Sequence, residues 1–202
     1  MKHSEQHAGQ LGFTLVELLL TISLGMFFLL WALSVINKEL VFGHGMAQRL
    51  RNRGLQQRTL ALIQSDLARG GQHWEIDPSF TSLWPCSLAG RDPVLAIATT
   101  TNSSQINGRA IVYSVGAAPS AIWRGQVLMR CGPAFDLNGE PNLSGRFQNR
   151  VVIDALPSSS KNGVHGFVAR PDPSLPLLHL HLEQQFQRPG GKVQRIQSTA
   201  VS

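Results

Sequence analysis

The chain has 202 residues, 43% of them hydrophobic, with a formal net charge of +6 and a pI near 10.2. That length allows one modest domain beyond any membrane segment, and the basic balance is compatible with DNA, acidic polysaccharide or a membrane surface without selecting among them. Two cysteines with no C-x-x-C and no zinc-finger histidine spacing exclude a zinc finger, and without a Walker loop, G-x-S-x-G elbow, H-E-x-x-H or dinucleotide fingerprint nothing points to an enzyme.

The first predicted element is apolar. From Leu18 to Ile36 run nineteen residues without a charge, enough at about 1.5 Å per residue to cross a hydrocarbon layer of about 30 Å. Glu17 stands at the entrance of this run, flanked by Leu15 and Val16. A carboxylate at mid-bilayer costs on the order of 2.5–3.5 kcal/mol and less near the interface, so its presence needs a reason. Two reasons are open. Thr14 and Glu17 have the T-x-x-E spacing of a capping box. Alternatively, a cut after Gly12 leaves Phe13 with a new positive amine, and Glu17 lies one helical turn away, able to pair with that amine or with a neighbour's.

The string Gly12-Phe13-Thr14-Leu15-Val16-Glu17 in front of a span resembles the signal of type IV prepilins and type II secretion pseudopilins. The resemblance implies removal of residues 1–12 by a prepilin peptidase, N-methylation of Phe13, an assembly role for Glu17 and packing of the apolar helices into a filament core. Its implied layout is a leader 1–12, a transmembrane and filament-core helix 13–36, an amphipathic continuation 37–70 and a β-rich head 71–202. The implied fold is α+β and pilin-like, a long N-terminal helix packed on a small antiparallel β-rich head. A competing reading is an ordinary secretory signal cut near Ala32-Leu33-Ser34. Against it stand an n-region with only Lys2 opposed by Glu5, the charge at Glu17 and an apolar run longer than a normal h-region.

Charge around the span conflicts with the resemblance. Lys38, Arg49, Arg51 and Arg53 follow the span and only Lys2 precedes it, so the positive-inside rule alone puts the large domain in the cytoplasm. The resemblance puts the head in the periplasm, on a single-pass inner-membrane anchor, with the filament extracellular after assembly. The specific signal outweighs the rule, because large translocated domains escape it. Arg49, Arg51, Arg53 and Arg58 form the only tight basic cluster. Spread around a helix, it reads as a solvated or inter-subunit face more readily than as a nucleic-acid groove.

The helix is expected to continue past the membrane. Leu60, Ile63 and Leu67 recur at helical spacing, Leu55 and Leu62 form a second line, and Gly70-Gly71 is the stop signal. A helix from Phe13 to Arg69 is about 85 Å long. With no proline before Pro78, the soft points are Gly43-His44-Gly45 and Gly54. Many major pilins carry a mid-helix proline, so its absence here resembles minor pilins and pseudopilins.

Beyond the glycines the pattern becomes short strands, expected at 94–98, 110–115, 127–131, 151–156, 164–170, 177–183 and 193–201. Leu178-His179-Leu180-His181-Leu182 alternates strictly and reads as a half-buried strand. Asn102-Ser103-Ser104, Asn138-Gly139 and the polar run from Ser158 to Gly163 read as turns or loops. Cys86 and Cys131 in an exported domain read as a disulfide, with two separate buried thiols as the alternative. The stem end, Gln56-Gln57-Arg58 through Leu62, Asp66-Leu67, Arg69 and Gly70-Gly71, resembles PilW-like minor pilins and J-type pseudopilins. So do Ile111-Val112-Tyr113, Trp123-Arg124 and Val151-Val152-Ile153-Asp154.

Two weaker chemistries remain. His179 and His181 share a strand face and could hold zinc or copper with a third ligand, but such histidines more often face solvent opposite leucines. Asp136-Leu137-Asn138-Gly139-Glu140 is faintly like a calcium loop and is equally an Asn-Gly turn. Trp74, Trp84 and Trp123 read as core or interface anchors, and Trp31 belongs to the span. The expected role is thus structural: assembly, initiation or tip of a filament, with no cofactor or metal. Its expected partners are other pilins or pseudopilins, the prepilin peptidase and the inner membrane. The alternative is a membrane-tethered binding protein taking up DNA through its basic stem.

Overall fold

The computed structural model of the chain describes residues 14–70, 73–74, 84–99, 110–139, 141–142, 145–158, 166–187 and 193–202. The leader with Gly12 and Phe13, Gly71, the turn at 102–104, Glu140 and residues 159–165 lie outside them. One helix, α1 (Leu15–Arg69), precedes eight strands: β1 (His73–Trp74), β2 (Asp92–Ala98), β3 (Ala110–Ala117), β4 (Gln126–Pro133), β5 (Phe147–Leu156), β6 (Phe167–Pro171), β7 (Leu178–Gln187) and β8 (Val193–Val201). The α+β class expected from the sequence is therefore the class observed. The chain forms two compact units, one ending at Gln48 and the other comprising Arg49–Ser202.

The first unit contains a long apolar stretch of helix. Leu15–Glu39, 25 residues, is long and apolar enough to cross a membrane, and none of it is buried within the protein. Its hydroxyls are returned to its own backbone: Thr21 Oγ1 donates to Leu18 O at 2.9 Å, Ser23 Oγ to Leu20 O at 2.9 Å and Ser34 Oγ to Trp31 O at 2.7 Å. In hydrocarbon, where no water satisfies a polar group, such internal bonding lets hydroxyls sit in a span. Helical backbone continues through Gly43, Gly45 and Gly54, and none of these glycines has a neighbour that a methyl group would strike.

In the second unit the helical segment from Arg49 onward belongs with the sheets. Its inward stripe is mostly polar, with Asn52, Gln56, Thr59, Leu60, Ile63 and Asp66 all buried. Of the expected apolar line, Leu60 and Ile63 are fully inside and Leu67 packs at the edge of the core; on the second line Leu62 is half-buried and Leu55 is exposed. The helix stops where the sheet comes close. Gly70 N–H donates to Asp66 O at 2.9 Å, and a Cβ at Gly70 would meet Ile97 Cγ2 and stand 2.9 Å from Ala98 O. Only glycine fits there.

The strands form two antiparallel sheets, β1-β2-β3-β4-β5 and β6-β7-β8. Every strand expected from periodicity is present, and β1 is additional. Inward residues of both sheets and α1 share one core, including Ile63, Ile97, Tyr113, Leu128, Phe167, Leu180 and Leu182. The pleat sends alternate residues to the opposite face of the larger sheet, where Ala96, Val112 and Cys131 form a second cluster with Trp84, Cys86 and Leu88. The register slips on β5 between the partners of Gln126 and Leu128. There Ala155 takes φ 60°, its N–H donates to Arg124 O at 2.6 Å, and Arg124 N–H donates to Asp154 Oδ2 at 3.1 Å. The bulge clips the β3–β4 connection onto the sheet edge.

Candidate functional site

The N-terminal end of α1 carries the one sequence-predicted assembly residue within the described residues, Glu17. Its amide donates to Thr14 Oγ1 at 3.3 Å, while Glu17 Oε2 accepts from Thr14 N–H and from Thr14 Oγ1, each at 3.0 Å. This reciprocal arrangement is a capping box: two amides that open a helix without intrahelical partners are answered by side chains. Thr14 is the cap and Leu15 the first helical residue. Both bonds to the carboxylate use Oε2. The cap therefore accounts for one oxygen of Glu17 and for the position of the charge at the helix entrance, where the macrodipole also favours an anion.

A second arrangement, buried in the second unit, ties the helix to the larger sheet. Tyr113 on β3 and Arg130 on β4 are directly opposite across the strand pair, so their side chains leave the same face side by side. Asp66 comes to them from α1, one helical step beyond Ile63. Arg130 Nε donates to Asp66 Oδ2 at 2.6 Å and Nη2 to Asp66 Oδ1 at 2.9 Å, a two-pronged pairing. Tyr113 Oη donates to Asp66 Oδ2 at 2.5 Å. The remaining Nη1 of Arg130 donates to Pro133 O at 3.3 Å, and the guanidinium stands 5.0 Å from the centre of the Phe135 ring.

All three groups are buried, with Asp66, Arg130 and Tyr113 retaining 1%, 3% and 0% of their surface. Burial, and then the Asp66 carboxylate, hold the Tyr113 phenol well above its ordinary pKa. Burial works against the charge on Arg130, but the Asp66 bonds and charge outweigh it and raise its pKa. The set is buried and paired within itself, and it joins the helix to the sheet. It fixes one rotational and axial setting of the helix on the sheet, because a slip of one residue leaves two desolvated charges without partners.

Two glutamines extend the clasp to the smaller sheet. Gln56 Nε2 donates to Ile196 O at 3.0 Å and Gln56 Oε1 accepts from Ser198 Oγ at 2.6 Å, while Gln64 Nε2 donates to Val201 O at 2.9 Å. β8 is an edge strand, and the helix covers carbonyls that would otherwise invite another strand. In the sequence Gln56, Asp66 and Tyr113 stand out only as points of resemblance, and Arg130 is not among them. The available signal was an arginine in the otherwise uncharged run Val127-Leu128-Met129-Arg130-Cys131 and an aspartate in a leucine stripe.

The cysteines are joined. Cys86 and Cys131 form a disulfide with Cα atoms 6.0 Å apart. Cys131 follows Arg130 on β4, and the pleat turns the two to opposite faces, so this strand is held to the helix on one side and to the segment before β2 on the other. His179 is exposed and pairs with Asp172 at 3.0 Å, His181 is half-buried, and Leu178, Leu180 and Leu182 are buried. Among the described residues no group of three or more His, Cys, Asp or Glu is gathered. Around Asp136, Asn138 N–H donates to Oδ1 at 2.9 Å and Gly139 N–H to the backbone oxygen at 3.1 Å, with Gly139 at φ 80°, which makes a side-chain-closed turn. Trp84 and Trp123 are half-buried, Trp31 is exposed on the span, and the Trp74 side chain lies outside what is described. No protein-family model, curated protein or solved structure matches this chain.

Proposed function

We propose that this chain is a minor pilin-like structural subunit of a type IV pilus or a type II secretion pseudopilus. It is made as a precursor, cut between Gly12 and Phe13 by a prepilin peptidase, methylated on Phe13 and held in the inner membrane by α1 with its head in the periplasm. It then joins other pilins or pseudopilins in the assembly, initiation or tip of a filament, without turnover. The observation that carries this reading is the Gly12-Phe13-Thr14-Leu15-Val16-Glu17 string, which leads into and overlaps the start of a 25-residue apolar stretch long enough to cross a membrane, with the helix capped from Thr14 onward.

Two further features support it. A disulfide suits an oxidising compartment outside the cytoplasm, which opposes the topology drawn from positive charges alone. The polar clasp of Gln56, Gln64 and Asp66 holds the second half of the helix to the head, as a subunit transmitting load from head to anchor requires. The test is mass spectrometry of the mature protein from its native envelope, which should begin at N-methylated Phe13. A mature terminus near Val35 means a secretory signal, and an intact Met1 in a host with active peptidase means a plain anchor; either removes the proposal.

A further inference from the structure

Among the described residues three charged side chains are buried, Asp66, Arg91 and Arg130. Asp66 and Arg130 answer each other. Arg91 is different: it retains 9% of its surface, its Nε is buried without a hydrogen-bond partner, and the ion pairs of Asp66, Asp172 and Glu183 go to Arg130, His179 and Arg195. Burial alone moves its pKa, downward, with no carboxylate opposing. A guanidinium whose Nε is shut off from water with no acceptor leaves one donor unsatisfied, a cost that a small domain keeps only for a reason.

The chain around Arg91 is arranged to keep it there. Arg91 N–H donates to Leu88 O at 3.1 Å, closing a turn whose two central residues, Ala89 at φ 49° and Gly90 at φ 76°, are both left-handed. Glycine takes that conformation freely and alanine does not, so Ala89 is strained. The turn is tethered on its N-terminal side by the Cys86–Cys131 disulfide and by Asn149 Nδ2 donating to Ser87 O at 2.8 Å. On the sheet side Arg91 lies over Gly116, where a Cβ would stand 2.7 Å from Arg91 Cγ and 3.1 Å from its Cα. A strained turn, a side chain left out of β3 and a guanidinium with an unsatisfied Nε thus coincide. Strain and unsatisfied buried groups that gather in one place mark a site built for something that is bound.

We propose that Arg91 is the recognition group of an oxyanion site at the turn leading into β2, taking a carboxylate or phosphate group on its guanidinium fork. The planar fork matches two oxygens of either group, which an ammonium does not. The residue keeps some exposed surface, so an anion can reach it from solvent. Binding of the anion supplies a counter-charge and stabilises the folded head in proportion to occupancy. This inference is independent of the filament proposal.

The test uses the full-length protein in zwitterionic detergent. Thermal unfolding of wild type, Arg91→Met and Arg91→Lys is followed during titration with inorganic phosphate or acetate, against chloride at equal ionic strength. In chloride, Arg91→Met should unfold at least about 2 °C above wild type, since the unsatisfied donor is gone. The wild-type midpoint should rise with a saturable component that Arg91→Met lacks and Arg91→Lys shows only weakly. A larger response to phosphate assigns a phosphate-bearing ligand, and a larger response to acetate assigns a carboxylate. Both oxyanions also stabilise proteins by exclusion from their surfaces, which acts on every variant alike. Parallel curves for wild type and either variant would therefore overturn the site, and the Lys comparison decides it should the Met variant fail to fold.

Discussion

Arg130 and Asp66, 64 residues apart in the chain, meet through two hydrogen bonds of 2.6 and 2.9 Å with both side chains buried. A bond pair of this kind adds little net stability over a well-packed apolar alternative but punishes its own disruption. Asp66→Ala and Arg130→Ala should each cost about 3–5 kcal/mol, because each leaves the other charge buried and alone. Asp66→Leu with Arg130→Met should recover most of that loss. Urea unfolding of the full-length protein in detergent reads all of these; simple additivity of the two alanine effects would mean that the pair is uncoupled.

Tyr113 reports on the same cluster through pH, and it is the only tyrosine in the chain. Its folded-state pKa lies above the ordinary value of 10.0 because the phenol is buried beside Asp66. A raised pKa means that the folded protein holds this proton more tightly than the unfolded chain does. The resulting stability is complete below the unfolded pKa and is lost as pH rises through the folded value. Unfolding free energy should therefore decline above about pH 10 in wild type, while Tyr113→Phe lacks this component of the decline and starts about 1.5–3 kcal/mol lower at neutral pH. Tyrosinate absorbance is the direct probe, and its appearance at an ordinary pKa with the fold intact would contradict the buried geometry.

The clasp was largely illegible in the sequence, for a physical reason. Periodicity reports which face of an element is buried, so α1 and the strands from β2 to β8 could be located from spacings of 3.6 and 2 residues. It does not report which buried residues answer each other across a sheet. Arg130 could be recognised as Asp66's partner only once Tyr113 and Arg130 were known to be opposite on β3 and β4. The same limit explains the strand edges. Gln148, Asn149 and Arg150 are exposed and polar, and they join β5 through pairing with Gly132, Cys131 and Arg130. Left-handed Ala155 and Ala89 carry no glycine signal at all. By contrast the Thr14–Glu17 spacing offers a cap from local sequence alone, as one of two open readings, because a capping box is made within four residues.

The disulfide should contribute about 4 kcal/mol by closing a loop of 45 residues. Cys86→Ala with Cys131→Ala should remove that amount and also loosen the segment carrying Trp84 and Leu88, which packs on the outer face of the sheet. Guanidinium unfolding of the double variant beside oxidised wild type measures the loss. Peptide mapping without reductant, on protein taken from its native envelope, should recover Cys86 linked to Cys131. Two free thiols there would oppose both the bond and a periplasmic head.

Glu17 separates capping from assembly once its geometry is known. The cap uses Oε2 as an acceptor from Thr14 N–H and Oγ1, and a glutamine carbonyl serves a capping box equally well. Glu17→Gln therefore keeps the cap and removes the charge, whereas Glu17→Ala removes both at about 0.5–2 kcal/mol of local helix stability. If the carboxylate offsets the Phe13 amine in a water-poor filament core, both variants should insert and be cleaved normally, and both should be depleted from sheared filaments or from complexes crosslinked to partner pilins. If Glu17 acts only as a cap, Gln should assemble as wild type does, and Ala should show at most a fraying effect that Thr14→Val reproduces. The decisive measurement is the ratio of assembled to processed protein for Glu17→Gln beside wild type. A ratio equal to that of wild type would leave the charge without an assembly role, since the cap is the only function of Glu17 that glutamine preserves.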